Sequence, residues 1–210
     1  SSLLWHMVGQ RRADQIRRPL SDLTRRGIEF INEEVVEIDL ANKLVKTHSE
    51  KIDFDYLIVS LGAQLVPETV AGFDEMDQNI YDPKGAGMIN AALESFSGGR
   101  VGVLVTSMPF KCPAAPYEAA LLVDSFLRKK GVRNKSEIHV YTPEHQAMPV
   151  AGPVMGEAIT KVLGKRDIRY HPLFTFEKMQ PGTHTIIPSG GEPEKVDLLI
   201  AVPPHQAPDV

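Results

Sequence analysis

The sequence predicts an α/β fold in which parallel strands and helices alternate to form a doubly wound sheet. Two short apolar runs, 54–63 and 100–106, are typical of strands that are buried on both faces. Between residues 86 and 202, segments with helical spacing of apolar residues alternate with further strand-like segments. Parallel strands joined by helices need right-handed crossovers, and a chain of this kind forms one sheet with helices packed against it.

The first 80 residues predict short elements. These are a helix over 13–26, antiparallel strands over 28–31, 35–39 and 43–47, and a buried strand over 55–60. Gly27 is expected to end the helix, because glycine readily adopts the left-handed conformation that closes a helix. Ala41 and Asn42 interrupt the apolar alternation, which indicates a tight turn between two of the strands.

The remainder of the chain predicts a more regular alternation. Its helices are expected over 86–96, 116–130 and 154–163, and its strands over 100–106, 137–141, 173–178, 183–188 and 196–202. Residues 64–84 are rich in proline, glycine and acidic residues, which is typical of a connection between two units. The prediction is therefore one domain over 1–80 and a second over 81–210, the latter with a small antiparallel insert.

Charge and hydropathy exclude several classes of function. The net charge is −4 and the pI is about 6.0, so the chain has no field that attracts nucleic acid. No run of about 18 apolar residues and no signal-peptide pattern is present in the sequence. We expect a protein of the cytoplasm or of a peripheral membrane face rather than a secreted one. The start without methionine and the end just after a strand-like run suggest a piece of a longer protein.

Cys112 is the only cysteine of the sequence. An internal disulfide and a multi-cysteine metal site are therefore excluded, and no metal is expected. Cys112 follows Lys111 and stands immediately before a predicted helix, where the ammonium and the unpaired backbone amides both favour thiolate over thiol. The alternative is that Cys112 is an ordinary small apolar residue in the core.

Two other stretches stand out beside the 111–120 segment. The run 55–63 ends at Gly62, where the lack of a side chain lets backbone approach a ligand, although a buried strand ending in a turn needs no ligand. The loops 141–153 and 203–208 are rich in proline and carry His145 and His205, which could exchange protons near neutral pH. Simple turn chemistry explains these loops equally well.

Taken together, these stretches resemble the sulfide:quinone oxidoreductases and the flavin subunit of flavocytochrome c sulfide dehydrogenase, which are FAD-dependent proteins of the pyridine nucleotide-disulfide oxidoreductase superfamily. The Lys-Cys-Pro-Ala-Ala-Pro-Tyr-Glu segment that begins at Lys111 is the most specific part of the resemblance. The resemblance implies a three-layer, Rossmann-like dinucleotide-binding domain over 81–210 and part of an FAD-binding domain over 1–80. It covers nearly the whole chain but only about half of a family member.

The resemblance also implies roles for particular residues. Cys112 would be the nucleophile, Lys111 its electrostatic support, and Glu118 either a proton acceptor or a favourable first-turn charge without chemistry. The residues expected beside the flavin are Ser60, Leu61, Gly62, Ala63 and Pro113.

The function implied is the transfer of electrons from sulfide, or a related sulfur donor, through the Cys112 thiolate to FAD and then to a quinone or a cytochrome. The family's chemistry resembles a two-cysteine mechanism, and the second sulfur is not in this sequence. We expect this chain alone to bind FAD poorly and to be inactive. The alternatives are a non-catalytic Rossmann-like assembly module and a thiol redox sensor, and the reactivity of Cys112 distinguishes them.

Binding of NAD(P) is not expected. The segment 106–113 occupies the position of the glycine-rich loop that holds a pyrophosphate, yet it has no glycine, two prolines and the bulky Phe110. No acidic residue closes the next strand at Tyr141 and Thr142 to hold a ribose, although Glu144 follows shortly after.

Overall fold

The computed structural model describes residues 2–73 and 78–209, and the chain divides into two compact units. The first, which we call the sheet unit, comprises Ser1–Ile16 and Leu65–His205, and the second, the small unit, comprises Arg17–Gln64 and Gln206–Val210. The division at residue 80 that the sequence suggests remains a prediction about the domains of the whole protein.

The structure has four α-helices and twelve short strands in the described residues. The helices are α1 (Ser2–Met7), α2 (Pro83–Ser95), α3 (Ala115–Lys130) and α4 (Pro153–Lys165). The strands are β1 (Val35–Asp39), β2 (Leu44–Thr47), β3 (Lys51–Asp53), β4 (Gln64–Leu65), β5 (Gly99–Val105), β6 (Ser136–Tyr141), β7 (Ile168–His171), β8 (Phe176–Gln180), β9 (Thr185–Pro188), β10 (Glu194–Lys195), β11 (Leu198–Val202) and β12 (His205–Gln206).

A four-stranded parallel sheet in the order β11-β5-β6-β7 forms the centre of the sheet unit. Helix α3 connects β5 to β6, and α4 connects β6 to β7. The α/β class, the parallel sheet and the Rossmann-like character are therefore confirmed. The crossover helices form where the sequence places apolar residues on one face, and Gly131 ends α3 with φ of 79°.

The two faces of this sheet are covered differently. Val101, Val103 and Val105 of β5 point into a core shared with helical residues such as Ile89 and Val123. On the opposite face, residues of β5, β6 and β11 pack against the antiparallel sheet β10-β9-β8, with buried side chains Leu104, Tyr141, Met179, Ile186, Val196 and Leu199.

The layers are thus helices, parallel sheet and antiparallel sheet, whereas a doubly wound sheet has helices on both faces. The antiparallel layer lies very close: a Cβ added at Gly102 would be 2.8 Å from Val196 Cγ1. In the part of the chain that the structure describes, the antiparallel insert that the sequence predicts therefore forms the whole layer on this face of the parallel sheet.

Two predicted elements of the first 80 residues are wrong. The helix over 13–26 is replaced by two 3-10 segments, Ala13–Gln15 and Leu20–Arg26, because Pro19 lacks an N–H and disfavours helical geometry in the residue before it. Gly27 does end the second segment, with φ of 75°. No strand forms over 28–31, whereas β1 and β2 confirm the hairpin that follows.

The predicted buried strand over 55–60 is also wrong. This segment has no strand geometry, and Tyr56 is 94% exposed and Ile58 90% exposed. The physical reason is that a strand needs a neighbour for its backbone hydrogen bonds, and the described residues pair none with this segment. Apolar composition alone cannot supply that neighbour.

Six elements were not predicted: α1, β3, β4, β7, β10 and β12. Helix α1 and the strands β3, β4, β10 and β12 are too short to leave a periodic pattern. Strand β7 is a four-residue edge strand with polar residues among its apolar ones, so its apolar signal is weak. Among the described residues, no helix combines the length and the apolar character needed to cross a bilayer.

Candidate functional site

The candidate site lies at the point of the parallel sheet where the order of the strands reverses. From β5 the chain adds β6 and β7 on one side and returns to add β11 on the other, so the switch point lies between β5 and β11. In open α/β sheets, ligands bind outside the carboxyl ends of the strands at such a point. Thr106, which follows β5, donates its N–H and its hydroxyl to Val202 O at 3.1 and 2.8 Å, which joins the two strand ends.

Cys112 lies in the loop that leaves β5 at this switch point. It is exposed, and its φ of 56° is left-handed, a conformation that costs a residue with a side chain about 1–2 kcal/mol. Its carbonyl oxygen accepts the N–H of Ala115 at 2.9 Å, which turns the chain into α3. The alternative interpretation, in which Cys112 is a buried apolar residue of the core, is therefore wrong.

Tyr81 contacts this loop from the neighbouring segment. Its hydroxyl donates to Lys111 O at 2.6 Å, and the Lys111 ammonium lies 5.1 Å from the centre of the Tyr81 ring. The ring of His205 meets the same tyrosine edge-on, with centroids 4.8 Å apart and an angle of 87°. The structure therefore brings Tyr81, Lys111, Cys112 and His205 together, and we call these four residues the Cys112 cluster.

The position of Tyr81 is fixed by the main sheet. Ile80 N–H donates to Ala201 O at 3.2 Å, and Ala201 N–H donates to Gln78 O at 2.9 Å, so 78–80 runs beside β11. The Tyr81 N–H donates to Asn79 Oδ1 at 2.9 Å, and Asp82 then caps α2 by accepting the Gly85 N–H at 2.7 Å. Tyr81 is thus fixed in the chain between a strand-like segment and the capped start of a helix.

The ionisation states in the cluster follow from burial and charge. Burial raises the pKa of Tyr81, and the negative charge of Cys112 raises it further, so the phenol stays protonated and can donate. Burial lowers the pKa of His205, and the Lys111 ammonium lowers it further. Because Pro203 O can only accept, the bond of 2.8 Å to His205 Nδ1 assigns the proton to that nitrogen. Nε2 is then a basic lone pair, buried without a hydrogen-bond partner in the described residues.

The start of α3 offers Cys112 less support than the sequence suggested. Cys112 lies three residues before Ala115, the first residue of α3, and the Ala115 N–H is bonded to the carbonyl of Cys112 itself. Pro116 has no N–H, and the Glu118 N–H donates to Ala114 O at 2.9 Å. The contribution of free helix amides is therefore smaller than expected, and Lys111 is the main positive group of the cluster.

Comparison with known proteins connects this geometry to one family. No family model matches the chain. The mitochondrial sulfide:quinone oxidoreductase of Mus musculus is 26% identical over 228 residues, which cover 99% of this chain and 49% of the mouse protein. The sulfide-quinone reductase of Aquifex aeolicus is 31% identical over 140 residues, which cover 65% of this chain and 32% of that protein.

The crystal structure of the Aquifex aeolicus sulfide:quinone oxidoreductase superposes with a TM-score of 0.85 at 25% identity, over 100% of this chain and 50% of the other. The chain is similar to the sulfide:quinone oxidoreductases over its whole length. It spans about half the length of the mouse relative and of the Aquifex structure that it matches. The resemblance that the sequence suggested is therefore confirmed at the level of the family.

The flavin-side residues predicted from the sulfide:quinone oxidoreductase family lie mostly in the small unit. Ser60, Leu61 and Gly62 are exposed, and Ala63 is partly buried. Gly62 has φ of 74°, and a Cβ added there would meet nothing within 4 Å. A segment with a glycine in this conformation and open space around it can accept a ligand close to its backbone. Pro113 follows Cys112 in the sheet unit and is partly buried.

Glu118 lies in the first turn of α3 and is partly buried. It borders an apolar groove of about 330 Å³ between α3 and α4, which Leu121, Met155 and Ile159 also line. These contacts do not test whether Glu118 accepts a proton, so that role remains a prediction.

Glu144, which the sequence marked only as an acidic residue shortly after Thr142, is a buried carboxyl group. It is 2% exposed and accepts the Tyr117 hydroxyl and, at 3.2 Å, the Thr142 hydroxyl. Burial raises the pKa of Glu144, against the two hydrogen bonds, which lower it. Glu144 thus holds the loop after β6 onto α3 and is not presented to a ribose. His145, beside it, is exposed.

Tyr81 is the site residue that the sequence did not reveal, and His205 was recognised only as a residue of a proline-rich loop. The Asp82-Pro83 pair is a helix-start signal and could have placed Tyr81 at the end of the sheet. The single bridge between Asn79 and Ala201 is too short to leave a pattern. Within the described residues, no group of three or more His, Cys, Asp or Glu side chains could hold a metal ion.

Proposed function

We propose that this chain is part of an FAD-dependent oxidoreductase that passes electrons from sulfide through Cys112 to the flavin and then to a quinone. The observation that carries the proposal is an exposed, left-handed cysteine at the switch point of the sheet, in a chain that is similar to sulfide:quinone oxidoreductases over its whole length. The names of the relatives supply the donor and the acceptor, and the chain supplies the thiol.

The proposed chemistry is an exchange at sulfur. Sulfide forms a bond to a second sulfur that bridges to Cys112, the S–S bond to Cys112 breaks, and Cys112 leaves as a thiolate with the electron pair. The second sulfur is left as a persulfide. FAD, when bound, would take up the two electrons that are released when the Cys112 thiolate and this persulfide, after losing its proton to solvent, join in a new S–S bond, and the quinone would then take the two electrons from the reduced flavin. The second sulfur comes from outside this chain, because Cys112 is its only cysteine.

The other residues have supporting roles in this proposal. Lys111 holds positive charge beside the leaving thiolate. The backbone of 60–63 is a proposed flavin contact of the small unit, and Pro113 is a separate proposed contact of the sheet unit. His205 Nε2, a buried lone pair in the Cys112 cluster, is available to take a proton. Glu118 is the further candidate for that role, although its first-turn position equally suits a charge that only interacts with the helix dipole.

We also propose that the sheet unit does not bind NAD(P). Two of the residues at 106–113 are prolines without an N–H, and the Thr106 and Ala115 amides are already bonded to Val202 and Cys112. Glu144 is used by Tyr117 and Thr142. A fluorescence titration of the full-length protein with NADH is expected to show no saturation below about 1 mM, a weak limit for specific cofactors.

The test is the absorbance spectrum of the full-length protein, with its flavin, before and after anaerobic addition of sulfide. We expect bleaching of the flavin bands in the wild type and in the control Ser107→Ala, which changes the same loop, and none in Cys112→Ser. Bleaching of Cys112→Ser at the wild-type rate would overturn the role of Cys112. Reoxidation by a quinone analogue supports the proposed acceptor, whereas reoxidation by cytochrome c alone contradicts it.

A further inference from the structure

We propose that Tyr81 is the positioning residue of the Cys112 cluster: its hydroxyl and its ring hold the Lys111–Cys112 pair in the geometry in which the thiol reacts. This inference rests on the proposed function of Cys112 and adds a residue that the family resemblance did not mark. Tyr81 acts through Lys111 and Cys112 and does not itself take part in the chemistry.

The first reason is the backbone of the loop. The carbonyl oxygen of the peptide between Lys111 and Cys112 accepts the Tyr81 hydroxyl at 2.6 Å. On the other side, the Cys112 carbonyl is bonded to Ala115 N–H at 2.9 Å. A left-handed φ of 56° at a residue with a side chain persists only where contacts on both sides hold it.

The second reason is the side chain of Lys111. Lys111 is exposed, and a free lysine side chain samples many rotamers. The ring of Tyr81 holds the ammonium at 5.1 Å by a cation–π contact, so the positive charge stays beside the ring and within the cluster. One tyrosine therefore orients both the backbone and the charge next to the thiol.

The third reason is that solvent can satisfy the groups involved. The hydrogen bond from Tyr81 to Lys111 joins partly exposed groups, and water could bond to either of them instead. Loss of the hydroxyl therefore leaves no buried polar group without a partner. Its contribution is the orientation of the loop, and Tyr81→Phe is expected to fold like the wild type.

The experiment measures the rate of alkylation by iodoacetamide between pH 6 and pH 10 on this chain without flavin. Because Cys112 is the only cysteine, the rate reports on one site. Tyr81→Phe keeps the ring and its contacts with Lys111 and His205, and it removes only the hydroxyl. Tyr81→Leu removes both. Tyr56→Phe, at a position that is 94% exposed, is the matched control.

We expect Tyr81→Phe to react about two- to tenfold more slowly than the wild type at pH 7, the range of one net hydrogen bond. Tyr81→Leu is expected to be slower still, and Tyr56→Phe unchanged. The difference between the variants is expected to narrow toward pH 10, because there the supply of thiolate no longer depends on the charge of Lys111.

Three outcomes would overturn the inference: equal rates at every pH, a loss by the same factor at every pH, or faster reaction of Tyr81→Phe at pH 7. A uniform loss would mean altered access, which a purely structural role produces. Thermal unfolding of each variant checks the fold, and if Tyr81→Leu does not fold, Tyr81→Phe alone decides. The proposed function fails separately, if Cys112→Ser in the full-length protein still transfers electrons from sulfide to flavin.

Discussion

Strand β5 and the segment 55–61 have similar apolar sequences but differ in secondary structure and in burial. Both are short apolar runs that the sequence predicts as buried strands. In the structure β5 lies between β11 and β6, and its residues from Val101 to Val105 are buried. Ile58 in the other run is 90% exposed. An apolar run therefore becomes a strand only where neighbours on both sides complete its hydrogen bonds and cover its side chains.

The same contrast separates the two units as a whole. Every buried apolar side chain among the described residues belongs to the sheet unit. The small unit contains the three-stranded sheet β1-β2-β3, and Thr47 is its one buried residue in the part of the chain that the structure describes. Stability should therefore depend strongly on the sheet unit and weakly on the small unit.

The largest expected effect concerns a buried ion cluster in the sheet unit. Asp124 is fully buried and accepts hydrogen bonds from Arg128, Arg133 and Arg166 at 2.7 to 3.1 Å. Asp124→Ala removes the buried carboxylate that neutralises the buried guanidinium of Arg133 and is expected to lower the free energy of unfolding by about 3–5 kcal/mol. Urea unfolding measures this.

The matched change in the small unit is Glu37→Ala, which removes an ion pair with Lys46 at 2.7 Å on the surface. We expect a loss of at most about 1 kcal/mol, because exposed pairs contribute little. Equal losses for Asp124→Ala and Glu37→Ala would contradict the difference between the two units.

The second prediction compares the same substitution in a buried strand of the main sheet and in the exposed apolar run. Ile200 in β11 is fully buried, so Ile200→Ala is expected to lower the free energy of unfolding by about 2–5 kcal/mol. Ile58→Ala in this chain is expected to change it by less than about 0.5 kcal/mol. If Ile58→Ala costs as much as Ile200→Ala, the segment 55–61 is packed as a strand after all.

The smallest effect is a pH dependence that arises in the sheet unit. Burial, with the charge of Arg100, lowers the pKa of His139 to about 4 from 6.5. Between these two values the unfolded chain binds the proton that the folded chain excludes, so stability falls as the pH falls from 6.5 to 4. The loss due to His139 is roughly 2–3 kcal/mol.

His139→Gln is expected to reduce this fall, and the measurement is the free energy of unfolding at pH 7 and at pH 4.5. Some pH dependence should remain, because burial also lowers the pKa of the neighbouring His171. An identical fall in the wild type and in His139→Gln would show that His139 is not the group that titrates.

Periodicity was sufficient to predict most of the sheet unit. The apolar faces of α3 and α4 and the uninterrupted run of β5 reflect burial directly, so helices, strands and parallel sheet could all be predicted. The covering of one face by β8, β9 and β10 could not be predicted, because the side of the sheet against which a connection packs depends on tertiary contacts. The prediction of a strand over 55–60 was wrong for a related reason, since the sequence of a segment does not show whether another strand lies beside it.

The candidate site was predictable only in part. Cys112 and Lys111 stand side by side in the sequence, so their association needed no folding argument. Tyr81 and His205 are separated from them by 30 and more residues, and only the arrangement of β11 beside β5 brings the four together. The helix amides at α3 were overestimated, because their use by the Cys112 and Ala114 carbonyls depends on the conformation of the loop.

The most direct test of the account is the steady-state reduction of a short-chain ubiquinone by sulfide, catalysed by the full-length protein with equal flavin content in each sample. The account predicts turnover by the wild type and a loss of at least about a hundredfold in Cys112→Ser, because the nucleophile is removed. Turnover by Cys112→Ser within a factor of about two of the wild type would contradict it.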